Sequence, residues 1–291
     1  MKTVHQFAPA KINLTLHVTG RREDGFHLIE SLVAFASVGD EITVRSHDGF
    51  DINISGPFAH LLQNEDNNIA LEAAVSFVDG FRDCLPGVHV DLVKNLPIAA
   101  GMGGGSSDAA AVIRALAYLV DINISRTAAG QLAIGLGADV SVCLDPQASF
   151  MSGVGNVVTI LPDLPEIHAV LVNPNIKMLT GAVFAALAVP GAIRRDEVGL
   201  KPEHAFVDVS DLVNFVRSCR NDLEAPAIRM CPEISEVQEA LLSQDGCLLA
   251  RMTGSGATCF GLFSDKAKAE RGAESIVDKA TNWWVRPCRL S

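Results

Sequence analysis

The feature that most constrains this chain is a cluster of glycines followed directly by an apolar segment. In "LPIAAGMGGGSSDAAAVIRALAYLV", Leu96–Val120, four of the five residues from Gly101 to Gly105 are glycine. Glycine loses more backbone entropy on folding than any other residue, so such a cluster needs a reason. The preceding "GVHVDLVKNLP" alternates as a strand does, and a helix is predicted from about Ser107 to Val120. The stretch therefore predicts a strand, a glycine loop and a helix N-terminus, whose free N–H groups attract phosphate.

Two well-known phosphate loops do not fit this stretch. A Walker A loop ends in Gly-Lys-Ser/Thr, but no lysine occurs between Lys94 and the end of the predicted helix. A dinucleotide-binding loop has the spacing GxGxxG/A, and here Ser106 occupies the last position after Gly101 and Gly103. The acidic residue of that motif would be Asp121, which follows the helix directly instead of ending a second strand. On the loop alone, a purely structural glycine turn stays open.

Charge and composition exclude several classes of protein. The formal net charge of −11 and the absence of a Lys/Arg cluster argue against a nucleic-acid partner. No apolar run reaches the roughly 18 residues of a membrane span, and the N-terminal stretch does not read as a signal peptide. The seven cysteines form no CxxC and have no zinc-site spacing with histidine, which predicts reduced thiols. We therefore expect a cytoplasmic protein without a nucleic-acid or membrane partner.

The mixture of helical and strand-like patterns predicts an α+β chain, and the length of 291 residues predicts two domains, which we place at residues 1–160 and 161–291. "KINLTLHV" alternates strictly, which predicts one strand that carries Lys11 and Asn13 on its polar face. "NNIALEAAVSFVDG" predicts a helix that ends at Gly80, and "ADVSVCL" and "ASFMSGVGNVVTIL" predict extended segments. The second half is richer in helices and closes with two extended runs that flank a Gly-Ser-Gly turn.

The glycine loop resembles the motif Pro-x-x-x-Gly-x-Gly/Ala-Ser-Ser of the GHMP kinases, which phosphorylate small molecules such as galactose, homoserine and mevalonate. The other segments that resemble this family, in the same order along the chain, are "APAKINLTLHVTGRREDGFHLIES", "GLGADVSVCL", "NDLEAPA" and "MTGSGATCFGLF". The resemblance implies the two-domain GHMP kinase fold, with an N-terminal domain like the second domain of ribosomal protein S5 and a ferredoxin-like C-terminal domain.

Within the family, "GRREDGFH" resembles one branch. Its members transfer phosphate from ATP to the 2-hydroxyl of a methylerythritol unit carried on cytidine diphosphate, in the non-mevalonate isoprenoid pathway. The resemblance thus implies a small-molecule substrate with a cytidine diphosphate group, and ATP with Mg²⁺ as cofactors. No carboxylate cage for the metal is visible in the sequence, and Asp108 is interpreted as complementing the helix dipole in preference to holding Mg²⁺ through water.

The same resemblance implies roles for individual residues. Lys11 and Asp139 match catalytic positions: the ammonium would stabilise developing negative charge, and the carboxylate would accept or orient the hydroxyl proton. A structural Lys–Asp ion pair is the alternative. Asn67 would lie near the adenine pocket. The residues expected to bind phosphate are Pro97, Ile98, Ala99, Ala100, Gly101, Met102, Gly103, Gly104, Gly105, Ser106 and Ser107.

At the substrate end, the resemblance implies that Phe26 stacks on the cytosine and that His27 hydrogen-bonds its edge. A histidine that only caps the loop is the alternative for His27. Phe184 would supply the second face, although its helical spacing also suits a core residue. The remaining expected substrate residues are Asn13, Val154, Gly254 and Gly256. A plain hairpin turn is the alternative for the two glycines. The expectation for Val154 has less support, because "SGVGN" departs from the family pattern at Asn156.

Three rival functions can be formulated from the sequence. Another GHMP kinase, of the homoserine or mevalonate type, would have no use for an aromatic–histidine pair that reads cytosine. An S5-like module that binds RNA or senses a nucleotide, and is not an enzyme, is disfavoured by the acidic chain and by the presence of both Lys11 and Asp139. A nicotinamide-dependent dehydrogenase is disfavoured by the spacing of the loop.

Overall fold

The computed structural model of the protein describes residues 2–62, 67–81, 85–122, 124, 126–187 and 205–291. Its strands are β1 (Thr3–Asn13), β2 (His17–Arg21), β3 (His27–Ser46), β4 (Gly49–Ser55), β5 (Gly87–Val93), β6 (Ser149–Ser152), β7 (Val157–Ile160), β8 (Ile167–Asn173), β9 (Cys247–Met252), β10 (Cys259–Phe263) and β11 (Trp284–Leu290). Its helices are α1 (Ile69–Gly80), α2 (Gly104–Leu119), α3 (Arg126–Leu136), α4 (Val140–Cys143), α5 (Thr180–Ala185), α6 (Val209–Ser218), α7 (Glu224–Met230), α8 (Glu233–Leu242) and α9 (Lys266–Lys279). The predicted α+β class is confirmed.

The chain forms two compact units whose segments alternate along the sequence. The segments of the first unit are Met1–Ala10, Gly39–Ile98 and Gly103–Pro146, and those of the second are Lys11–Val38, Ala99–Met102 and Gln147–Ser291. Each unit is therefore built from segments that are distant in sequence. The predicted division into residues 1–160 and 161–291 stays a prediction.

In the first unit, a small sheet is covered by helices. β5 pairs in parallel with β4 and antiparallel with the second half of β3, where Ile42 lies opposite Leu92 and Val44 opposite Val90. These four side chains are almost fully buried. Asn68 caps α1 by accepting a hydrogen bond from the N–H of Ala70, and α1 packs against α2. The sheet thus places the end of β5 directly before the glycine loop.

In the second unit, strands from distant parts of the sequence pair antiparallel in the order β11, β8, β10 and β9. β8 and β10 are buried along almost their whole length, as central strands are. Trp284 begins β11 opposite Asn173, which gives a structural place to one of the two adjacent tryptophans. β9 and β10 leave the turn Thr253–Thr258 at one end of this sheet.

Two predictions of secondary structure are wrong. "KINLTLHV" is not one strand, since β1 ends at Asn13 and β2 begins at His17. The chain bends between them, where the N–H groups of Leu14 and Thr15 both donate to the carbonyl of Leu32. "ADVSVCL" contains the helical turn α4 instead of a strand. Four mostly apolar residues fit a buried helical turn as well as a buried strand, so periodicity could not decide between them.

Candidate functional site

The glycine loop, Pro97–Ser107, connects β5 to α2 as predicted, although α2 begins at Gly104 and not near Ser107. Gly101 and Gly103 have φ angles of +75° and +61°, which side chains other than glycine adopt only with strain. Gly103 is the N-cap residue of α2, and it offers no side chain to the free N–H groups of the first turn. This backbone leaves N–H donors at the helix N-terminus available to an anionic ligand.

Ser107 serves the fold. Its side chain is fully buried, and its hydroxyl donates a 2.8 Å hydrogen bond to the carbonyl of Pro9. Its backbone N–H donates to the carbonyl of Gly103 in the first turn of α2. Ser106 is half-buried, so of the two serines it is the better placed for a ligand.

Gly101 makes close backbone contact with the turn after β9. A Cβ atom at Gly101 would lie 2.5 Å from the carbonyl oxygen of Thr253 and 2.6 Å from the nitrogen of Gly256. A Cβ atom at Gly254 would in turn collide with the carbonyl of Gly101. The N–H of Thr258 also donates to the carbonyl of Ala100 at 3.3 Å. The two glycine-rich motifs therefore need each other's glycines to pack backbone against backbone.

A buried ion cluster of Asp40, Lys94 and Asp108 lies at the two ends of the glycine loop. The Lys94 ammonium donates to Asp40 Oδ2 and to Asp108 Oδ2, each at 2.6 Å. Asp40 Oδ1 also accepts from the N–H groups of Asn95 and Leu96, just before the loop. Asp108 lies on α2, just after the loop. The cluster thus links the entry of the loop to its exit.

The preferred interpretation of Asp108, as complementing the helix dipole, is wrong. Its side chain is 2% exposed, pairs with Lys94 and lies beyond the first turn of α2. A role in holding Mg²⁺ through water stays a prediction. Burial raises the pKa of Asp108 to about 7 against the opposing charge of Lys94, and Asp40 adds to the rise. The two carboxylates in turn raise the pKa of Lys94 in spite of its burial. Sequence spacing gave no signal for this cluster, because Asp40 is more than fifty residues from its partners.

Lys11 and Asn13 occupy the end of β1 and are almost fully buried. The backbone N–H of Lys11 donates to the carbonyl of Met102 in the glycine loop. Asn13 donates from its backbone to Thr253 Oγ1 at 2.8 Å and from Nδ2 to Ser31 Oγ at 2.7 Å. Asn13 Oδ1 is buried and has no hydrogen-bond partner in the described ranges. A buried acceptor without a donor is costly, so this oxygen is suited to a ligand hydroxyl or amine.

Asp139 is the N-cap residue of α4, and it belongs to the first unit. Its backbone is helical, and its side chain makes no capping hydrogen bond to the helix. The three apolar side chains that follow within α4, Val140, Val142 and Cys143, are fully buried. Their packing anchors the turn, and Asp139 itself is half-buried.

The predicted cytosine residues lie on β3 and α5 and in the turn between β2 and β3. Phe26 is 61% exposed, and its N–H donates to Asp24 Oδ1 at 3.3 Å. The ring of His27 stacks on Phe184 with centroids 5.0 Å apart and planes 25° apart. Burial, and then the charge of Arg21, lowers the pKa of His27, which favours a neutral imidazole with one donor and one acceptor nitrogen. The structure therefore pairs Phe184 with His27, and the sandwich of Phe26 and Phe184 stays a prediction.

The remaining predicted residues have simple surroundings. Val154 is half-buried in the turn between β6 and β7, where its N–H donates to Asn156 Oδ1 at 3.3 Å. Asn67 is exposed just before the cap residue of α1. The segment directly before Asn67, residues 63–66, lies outside the described residues. For Val154 and Asn67 the binding roles stay predictions.

Asn221 is a residue of this region for which no role was predicted from the sequence. Its Nδ2 donates to the carbonyls of Met252 and Gly254, both at 2.9 Å, and so holds the turn that packs on Gly101. The next residue, Asp222, accepts from the N–H of Val18 at 2.7 Å. "NDLEAPA" was the available signal, since it begins with Asn221 and recurs in the family that the chain resembles.

In the described part of the chain, no group of three or more histidine, cysteine, aspartate or glutamate side chains is arranged to hold a metal ion. Nor does any helix described there have the length and apolar character needed to cross a membrane.

Comparison with known proteins gives a consistent result. The family model described as GHMP kinases N terminal domain matches residues 68–153, and the one described as GHMP kinases C terminal matches residues 205–281. The chain is 46% identical over 286 residues, 98% of each chain, to a protein of Cereibacter sphaeroides named 4-diphosphocytidyl-2-C-methyl-D-erythritol kinase.

Solved structures add a comparison of folds. The chain superposes with a TM-score of 0.74 and 32% identity on a 4-(cytidine 5'-diphospho)-2C-methyl-D-erythritol kinase, over 99% of both chains. A homoserine kinase from Cytophaga hutchinsonii gives a TM-score of 0.72 at 18% identity, over 100% of this chain and 95% of the other. The two TM-scores are almost equal although the two sequence identities differ, so the second comparison shows the fold alone.

Proposed function

Because the chain belongs to the GHMP kinase family, we propose that it transfers the γ-phosphoryl group of ATP to the 2-hydroxyl of 4-diphosphocytidyl-2-C-methyl-D-erythritol. The observation that carries this proposal is the 46% identity, over 98% of each chain, with a protein named for that substrate. The products are the 2-phosphate and ADP. A cytoplasmic location and the absence of a nucleic-acid partner are parts of the same proposal.

We assign ATP binding to the glycine loop and to Asn67. Support comes from the free N–H groups at the N-terminus of α2, a helix of 16 residues, and from the positive φ angles of Gly101 and Gly103. Mg²⁺ would accompany the nucleotide and neutralise charge on its phosphate oxygens. Asp108 is not suited to hold it directly, since Lys94 already occupies one of its oxygens.

We assign the chemical step to Lys11 and Asp139. The ammonium of Lys11 stabilises negative charge that develops on the oxygens of the transferred phosphoryl group. The carboxylate of Asp139 accepts a hydrogen bond from the 2-hydroxyl and takes its proton as the new P–O bond forms. The transition state of such transfers is loose, so positioning of the hydroxyl contributes more than its early deprotonation.

We assign substrate recognition to Asn13, Phe26, His27 and Phe184, with Val154, Gly254 and Gly256 supplying backbone groups. Asn13 Oδ1 is a buried acceptor without a donor in the described residues, which suits a substrate hydroxyl. The exposed ring of Phe26 offers an apolar face to a base. A neutral His27 can donate to and accept from the edge of a cytosine, because its two ring nitrogens then have opposite roles.

The proposal is tested by coupled ADP release with the cytidine-linked substrate, ATP and Mg²⁺. We expect turnover that CMP or CDP inhibits competitively against this substrate, and a loss of about 10³-fold in kcat for Asp139→Ala. Asp48→Asn, which changes an exposed carboxylate on the turn between β3 and β4, is the control and should match the wild type.

Two outcomes would contradict the proposal in different ways. Turnover of homoserine or mevalonate without turnover of the cytidine-linked compound would show that the protein is a kinase with a different substrate from the one proposed. Full activity of Asp139→Ala on the cytidine-linked compound would agree with the proposed substrate but contradict the proposed role of Asp139 in the chemical step.

A further inference from the structure

Arg114 connects three elements of the first unit through one side chain. It lies on α2, and its Nη1 donates to the carbonyl of Cys143 at 2.6 Å, at the end of α4. Its Nη2 donates to the carbonyl of Phe7 on β1 at 2.7 Å, and its Nε approaches Gln6 Oε1 at 3.5 Å. Burial lowers the pKa of Arg114, but a guanidinium stays charged in proteins. The half-buried guanidinium of Arg114 thus holds a backbone carbonyl at the C-terminal end of α4, the end opposite to Asp139.

α4 is too short to be stable by itself. A single helical turn orders several residues for very few hydrogen bonds, so it depends on tertiary contacts. The cation at its C-terminal carbonyl is favourable, both as a charge-assisted hydrogen bond and because it opposes the helix dipole. Asp139 is the N-cap residue of this turn, so its backbone is continuous with α4. Contacts that hold α4 therefore also hold the backbone that carries the Asp139 carboxylate.

We propose that Arg114 is a positioning residue that fixes α4 and thereby sets the carboxylate of Asp139 for phosphoryl transfer. This inference rests on the role assigned to Asp139 above. The planar fork of the guanidinium reaches two carbonyls in fixed directions at once, which the single ammonium of a lysine does not reproduce. Misplacement of a reacting group by about 1 Å costs on the order of 10²-fold in rate, so loss of the fork should appear in kcat.

The experiment measures kcat and both KM values for Arg114→Met and Arg114→Lys. We expect kcat to fall about 10- to 100-fold in Arg114→Met with little change in the KM for ATP, and Arg114→Lys to recover part of the loss. Arg217→Met is the chemical control, since Arg217 on α6 also donates to a backbone carbonyl, that of Leu248, at 2.8 Å. Ile113→Val is the stability control, because it lowers core packing on the same helix without touching the arginine.

A double-mutant cycle with Asp139→Asn separates positioning from general destabilisation. If Arg114 acts through Asp139, Arg114→Met should lower kcat little further once Asp139 is replaced. The inference is overturned if Arg114→Met lowers kcat by the same factor in the wild type and in Asp139→Asn. It is likewise overturned if Ile113→Val, at the same fall in Tm, lowers kcat as much as Arg114→Met does. It is also overturned if Asp139→Asn leaves kcat unchanged.

Failure of the substrate assignment gives a different result. In that case the wild type itself does not turn over the cytidine-linked compound, and the same cycle is measured on the alcohol that it does phosphorylate.

Discussion

The glycine loop is held at two places by contacts of opposite chemistry. Gly101 packs against the backbone of Thr253–Gly256 without any charged group, at a distance that leaves no room for a Cβ atom. The ion cluster of Asp40, Lys94 and Asp108 holds the two ends of the loop with three almost fully buried charged side chains. One contact depends on the absence of side-chain atoms, and the other depends on ionisation.

The difference has a physical consequence for what each contact tolerates. The neutral contact is indifferent to pH but fails with the smallest added group, because backbone atoms cannot move aside as side chains do. The ion cluster tolerates changes of shape better, but the loss of one charge leaves the others buried and unpaired. Substitutions that change either shape or charge alone should therefore separate the two contacts.

The largest effect is expected for Lys94→Met. This change removes the cation between two buried carboxylates and should lower the free energy of unfolding by about 4 kcal/mol. Urea denaturation of the variant and the wild type measures the difference. The matched control is the triple variant in which Asp40 and Asp108 also become asparagine, which should regain part of the stability. If the triple variant were less stable than Lys94→Met alone, unpaired charge would not be the cause.

Gly101→Ala should have the next largest effect. The new Cβ would meet Thr253 and Gly256 at a φ of +75°, so overpacking and backbone strain add to about 3 kcal/mol of destabilisation. Gly135→Ala is the control, because a Cβ there, on α3, meets no atom within 4 Å. That change should be neutral or stabilising, since alanine is the better helix former. Equal stability of Gly101→Ala and the wild type would show that the glycine loop can move away from the turn Thr253–Thr258 with little loss in the free energy of unfolding.

These two contacts also show how far the sequence could predict the site. The strand, the loop and the helix around Gly101 were predictable, because glycine clustering and hydrophobic periodicity are local signals. Local patterns do not reveal the contact of Gly101 with Gly254 and Gly256, because it joins residues about 150 positions apart. The charge cluster was not predicted at all, and Asp108 was misinterpreted, since helix position alone does not reveal a partner at Lys94.

The prediction of secondary structure was wrong where a local pattern is compatible with two structures. Strict alternation over Lys11–Val18 suits one strand, but the hydrogen bonds to Leu32 bend the chain after Asn13 and bury the polar side chains as well. The apolar residues of α4 alternate like a strand and fold as a helical turn, which Arg114 holds at its end. In both cases a tertiary hydrogen bond decided the outcome, and such bonds are not visible in local periodicity.

Thr253→Val tests the neutral contact without adding atoms to the turn. Valine has nearly the shape of threonine but cannot accept the hydrogen bond from the N–H of Asn13, which is 2.8 Å long. A buried N–H without a partner should cost about 2 kcal/mol in the free energy of unfolding. Because Asn13 is proposed to bind the substrate, the KM for the substrate should rise as well. Thr253→Ser keeps the hydroxyl and should behave like the wild type. A valine variant with unchanged stability and KM would show that this hydrogen bond is dispensable.

The smallest effect concerns the pH dependence of the ion cluster. The folded state holds a proton on Asp108 with a pKa of about 7, whereas the ordinary pKa of an aspartate, as in the unfolded chain, is 3.8. Between these values the folded state binds more protons than the unfolded state, so the free energy of unfolding falls as pH rises. From about pH 6 to about pH 7 this fall should be about 1 kcal/mol larger in the wild type than in Asp108→Asn.

Urea denaturation at the two pH values measures the fall for both proteins, with Asp48→Asn as an exposed carboxylate control that keeps the behaviour of the wild type. Parallel stability curves for Asp108→Asn and the wild type would mean that Asp108 is already ionised below pH 6. Lys94 would then hold both carboxylates in their charged form, and the two contacts of the glycine loop would differ in shape but not in their response to pH.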